Sequence, residues 1–154
     1  MKTSFLSTIT LFIVLSACQQ ADKNETATNN TAKMGEKVWF CAYHVKADKK
    51  QQYENFVHDI FWAGASKLSE AEQKVFRQTR ILHPEKAEAD GTFFYAFLMN
   101  PQIEGADYSI ESLLKKMYGE KQGTEYFNLF KDSLTDGLTE GKDDIEYYMV
   151  QSKD

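Results

Sequence analysis

The side chains of this 154-residue chain with the most specific chemistry are three histidines, two cysteines and two arginines. Cys41 and His44 form a C-x-x-H pattern inside residues 37–46, KVWFCAYHVK. That run is rich in β-branched and aromatic residues, which predicts a strand. On a strand, positions three apart point to opposite faces, so the pair does not readily chelate one metal, and Cys41 reads as a small buried hydrophobe. His44 closes this strand and His83 closes the next. Each could face a cavity, where a histidine beside Trp39, Tyr43 and Tyr95 could bind haem or position a substrate. The plainer reading is a histidine hydrogen-bonded at a strand edge, because no axial-ligand motif accompanies either one. His58 falls on the flank of a helix and reads as solvated. Arg77 and Arg80 are expected on opposite faces of the second strand, and whichever points inward needs a carboxylate partner or an anionic ligand. The catalytic candidates are therefore His44, His83 and Arg80, and the candidate ligand-pocket side chains are Trp39, Tyr43 and Tyr95. The acidic run Asp136, Glu140, Asp143, Asp144 and Glu146 lacks the ordered spacing of a calcium loop. There is no G-x-S-x-G, H-E-x-x-H or P-loop. No metal site is expected, and no cofactor follows from the residues.

The elements that must position these groups are legible from periodicity. In the first strand Val38, Phe40 and Ala42 point one way, and Trp39, Cys41, Tyr43 and Val45 the other, so both faces are largely apolar and need cover. Residues 47–68 switch to helical spacing, with Tyr53, Phe56, Val57, Ile60, Phe61 and Gly64 on one stripe. Trp62 lies nearly opposite that stripe, so it is exposed, at an interface, or past a local break near Gly64. Ser69-Glu70-Ala71-Glu72 matches a capping box and opens a short helix. Residues 77–83 read as a strand closed by Pro84, and Asp90-Gly91 marks a turn. Residues 92–100, TFFYAFLMN, are the clearest strand, with Phe93, Tyr95, Phe97 and Met99 on one face and Phe94, Ala96 and Leu98 on the other. Tyr108-Ser109 opens another helix, with Ser109 as cap; residues 119–123 interrupt it, and residues 124–134 resume it. Residues 145–151 are the last strand. The order is β-α-β-β-α-β, which predicts an α+β domain of the ferredoxin-like, split βαβ arrangement.

Composition bounds the partners. Aromatics are 14% of the chain, a large payload for a small core, and the formal net charge is −5. An acidic chain argues against a nucleic-acid partner. The amino terminus carries Lys2, then an apolar stretch over residues 5–15 that is too short to span a bilayer. It ends Leu15-Ser16-Ala17-Cys18. This resembles the lipobox of bacterial lipoprotein precursors. The resemblance implies lipid on Cys18, cleavage before it, and a membrane partner through the acylated cysteine. Several acyl chains suffice for stable anchoring. With Cys18 acylated, a disulfide between the two cysteines is excluded. Gln19 after the cysteine resembles an outer-membrane address in the bacterial cell envelope. Residues 1–17 are then signal peptide, residues 18–35 a polar tether without period, and residues 36–152 the folded domain.

The folded domain resembles the dimeric α/β-barrel superfamily. The resemblance is carried by a Tyr-His-Val-Lys strand end at residues 43–46, the helix after it, the hairpin through Asp90-Gly91 and the interrupted second helix. It implies a homodimer in which paired sheets cover the second apolar face. The superfamily includes cofactor-independent monooxygenases, haem-degrading and haem-binding proteins. The first expectation is a non-catalytic module that binds a partner or a small ligand in the envelope. The alternative is a cofactor-independent or haem-using monooxygenase.

Overall fold

The computed structural model describes residues 31–135 and 144–148, so Cys18, the signal segment and most of the acidic run lie outside the described residues. The chain is α+β. Strand β1 (Lys37–Val45) is followed by helical segments leading to α2 (Glu70–Gln78), then by β2 (Thr79–Leu82) and β3 (Phe93–Met99). Helices α3 (Ile110–Tyr118) and α4 (Glu120–Ser133) precede β4 (Asp144–Tyr148). The four strands form one antiparallel sheet in the order β2-β3-β1-β4. Its register sets Tyr43 opposite Tyr95, His44 opposite Phe94 and Leu82 opposite Ala96.

Alternation along the strands sorts the side chains as the sequence predicts. Cys41, Val45, Tyr95, Phe97 and Met99 join the helix-side core with Tyr53, Phe56, Leu114 and Phe130. Val38, Ala42 and Ala96 are buried on the other face, where Phe40, Phe94 and Leu98 are half-buried. These six belong to no part of the helix-side cluster.

The helical half departs from the periodicity reading in three places. Residues 47–68 do not form one α-helix. A 3-10 turn (Ala47–Lys49) leads into α1 (Lys50–Asn55), a π-helical stretch (Phe56–Trp62) and a second 3-10 turn (Ala65–Lys67). A π-helix closes wider turns, so each residue advances less around the axis. Trp62 is thereby brought onto the core side, ring-stacked on Phe97 at 5.8 Å and edge-on to Phe76 at 5.1 Å. The carbonyl of Ile60 in this stretch accepts a 2.7 Å hydrogen bond from the Tyr118 hydroxyl.

Helix α2 runs to Gln78, so Arg77 lies in its last turn, paired with Glu70, and not on a strand. The strand begins at Thr79, whose hydroxyl donates to the Val75 carbonyl and ends the helix. At the helix's other end the capping box is present: Ser69 accepts from the Glu72 backbone and Glu72 accepts from the Ser69 backbone.

The break between α3 and α4 is one residue, Gly119, at φ +80°. Gly123 is inside α4, where a Cβ would stand 2.7 Å from the Lys115 backbone. Its missing side chain lets the two helices touch. The turn before β3 is also built as expected. Gly91 has φ +85°, and Asp90 accepts from the Thr92 backbone at 2.9 Å.

Candidate functional site

The two faces of the sheet separate the candidate residues. Trp39, Tyr43 and Tyr95 point to the helices. Trp39 meets Tyr108 edge-on at 5.1 Å, Tyr43 meets Phe130 at 5.2 Å, and Tyr95 lies 4.6 Å from the Tyr53 ring. His44 is on the opposite face, edge-on to Phe94 at 5.1 Å. The structure therefore does not bring His44 together with those three aromatics. Cys41 and His44 likewise diverge, Cys41 into the core and His44 outward. Arg80 is exposed beside Leu98 on the outward face.

His83 does meet one of the three. It follows β2 directly and stands edge-on to Tyr95 at 5.4 Å. Its other neighbour is His58, from the π-helical stretch, with ring centroids 5.1 Å apart and planes within 11°. The same corner holds a polar chain. The Tyr95 hydroxyl donates to Glu54 at 2.7 Å, and Lys50 pairs with Glu54 at 3.2 Å. The Tyr95 hydrogen bond and Lys50 together hold the Glu54 carboxyl below its ordinary value. Burial first, then the donated bond to Glu54, pushes the Tyr95 phenol well up. Burial, then repulsion from His58, pushes His83 down, with Glu54 opposing. At neutral pH His83 is therefore a neutral imidazole, able to offer a lone pair or accept a proton. Beneath this corner the Tyr53 hydroxyl is fully buried and has no hydrogen-bond partner among the described residues.

Sequence reasoning placed His58 on a helix flank, which holds, but missed its pairing with His83. Helical spacing does set His58 one turn after Glu54 on the same side. Nothing local ties it to His83, because that contact exists only once β2 is laid beside β3.

A second, open groove runs along α3, lined by Ser109, Lys115, Lys116 and Glu120. Its cations are already paired: Lys116 with Glu72 at 2.6 Å and Asp107 at 2.9 Å, Lys115 with Glu111 at 2.9 Å. Among the described residues no three metal-ligating side chains come together, and no helix is long and apolar enough to cross a membrane. No family model, curated protein or solved structure matches this chain.

Proposed function

We propose that this chain is a lipid-anchored protein of the bacterial cell envelope whose ferredoxin-like domain is a non-catalytic binding module, working as a homodimer. The anchor rests on the lipobox ending in Cys18. The domain reading draws on the sheet order β2-β3-β1-β4, with helical segments in the β1–β2 and β3–β4 connections and a direct β2–β3 link. The observation that carries the dimer is the second face of the sheet. Phe40 and Phe94 stack there at 6.3 Å beside Leu98, and Leu82 is 45% exposed. A sheet with both faces apolar needs two covers, and a second sheet of the same kind supplies one. A partner or small apolar ligand would then bind at the joined sheets.

Two measurements test the reading. Sedimentation equilibrium of the full acylated chain, in density-matched detergent, is expected to give two copies. The Phe40→Glu/Phe94→Glu variant should give one, with its far-ultraviolet dichroism unchanged. A single copy of the wild type at every concentration would overturn the dimer. Metabolic labelling with palmitate should mark the wild type and not Cys18→Ala; equal label in both sinks the anchor.

A further inference from the structure

We propose that His58 and His83 form a two-imidazole binding site for a divalent transition-metal ion of the zinc, nickel or copper class. The inference is independent of the anchor and of the dimer. It starts from the paired rings, whose centroids lie 5.1 Å apart. With metal–nitrogen distances of about 2.1 Å, two imidazoles sharing one tetrahedral ion stand with their centroids about 5 Å apart. The observed separation falls within the range that two imidazoles on one ion can take. The rings are stacked near-parallel, at 11°, so sharing an ion requires that they turn about the soft second side-chain torsion until one nitrogen of each faces it.

Both backbones that carry the rings are held in place. His58 follows Val57, which is 1% exposed, within the π-helical stretch. His83 follows Leu82, whose register partner is Ala96 of the central strand β3. Tyr95 braces the His83 ring from the core side. Both imidazoles are exposed, so an ion reaches them from solvent without crossing the core.

The chemistry of the surroundings agrees. Metal binding needs deprotonated imidazole. Glu54, fixed by Tyr95, supplies negative charge next to His83, offset by Lys50. Exposed Asp59 follows His58 in the chain. Since no three ligating side chains converge among the described residues, water completes the coordination. That makes the site open, and its preference among metals should follow the usual rise to copper, with zinc below it.

The test uses the full acylated chain in a phosphate-free detergent, stripped by chelator and titrated with Cu2+ and with Zn2+ in a calorimeter. One ion per chain is expected to bind, Cu2+ more tightly. Loss of either ligand, in His58→Ala or His83→Ala, should weaken binding by at least about a hundredfold, since removing a group that merely orients a ligand already costs about 10- to 100-fold. His44 lies on the opposite sheet face and is the internal control, so His44→Ala should bind as the wild type does. Electron paramagnetic resonance of the Cu2+ form should show coupling to two imidazole nitrogens, reduced to one in each single variant. Both histidines are exposed, and dichroism verifies that the variants fold. Binding equal in the wild type and the His58→Ala/His83→Ala double variant overturns the site. So does binding lost in His44→Ala alone, or a wild type that takes up no ion.

Discussion

The two faces of one sheet treat the same kind of residue differently. Toward the helices, aromatic side chains interlock with one another: Tyr53 with Tyr95, Phe56 with Phe130, Trp62 with Phe97. Tyr53, Tyr95, Phe56 and Phe130 are all at most 1% exposed. On the outward face, Phe40, Phe94 and Leu98 are only half-buried, and Leu82 is open to solvent. Both faces are largely apolar, so hydrophobicity alone does not distinguish them. The distinction is cover. The chain supplies helices for one face, while Phe40, Phe94 and Leu98 on the other lie outside the helix-side core. A residue on the covered face contributes to folding of a single copy. A residue on the outward face contributes most once something else is laid upon it.

Unfolding by urea breaks or sharpens this comparison. Phe130→Ala removes a ring with contacts to Tyr43, Tyr53 and Phe56, and should cost about 3–5 kcal/mol at every protein concentration. Leu82→Ser, on the outward face, should cost less than about 0.5 kcal/mol in dilute solution. Its cost should grow with concentration as copies pair. Equal costs for the two, or a Leu82 effect that ignores concentration, would erase the distinction between the faces.

A smaller effect is expected at the corner where the covered face meets solvent. Above the ordinary histidine value of 6.5, His83 is neutral in the folded and the unfolded chain and adds no pH dependence. As pH falls below it, the unfolded chain takes up a proton that the folded chain resists, so stability declines until the lowered folded value is passed. Glu54 acts further down. Its contribution is present above the ordinary 4.5 and is lost as pH falls through its lowered folded value. The melting temperature should therefore fall from pH 7 to pH 5, and fall less in His83→Gln. Identical slopes in the two proteins would remove His83 from the account.

The parts of the fold legible in the sequence are those governed by neighbours along the chain. Alternation sorted Trp39, Cys41, Tyr43 and Val45 from Val38, Phe40 and Ala42, and the structure keeps that division. The Ser69–Glu72 capping box, the Ser109 cap and the Asp90-Gly91 turn each involve groups within a few residues, and all three form. The boundary at Thr79 was less legible, because Arg77 and Gln78 suit a helix end as well as a strand start. The sequence predicts an interruption over residues 119–123 because Gly123 resembles a second breaker, whereas the break is Gly119 alone. The role of Gly123 is instead the close approach of α4 to α3. Trp62 was ambiguous because periodicity assumes one winding, and the helix changes winding at Phe56.

By itself, then, the sequence determined the alternation of the strands, the helix caps, the hairpin turn and the α+β class, since each depends on contacts a few residues long. Tertiary structure alone decided which apolar face the helices cover, that His44 and His83 lie on opposite sides of the sheet, and that His58 meets His83. Those contacts join residues far apart in the chain. No local preference encodes them, and they appear only when β2 pairs with β3 and the π-helical stretch lays Trp62 on Phe97 of β3 and His58 on His83.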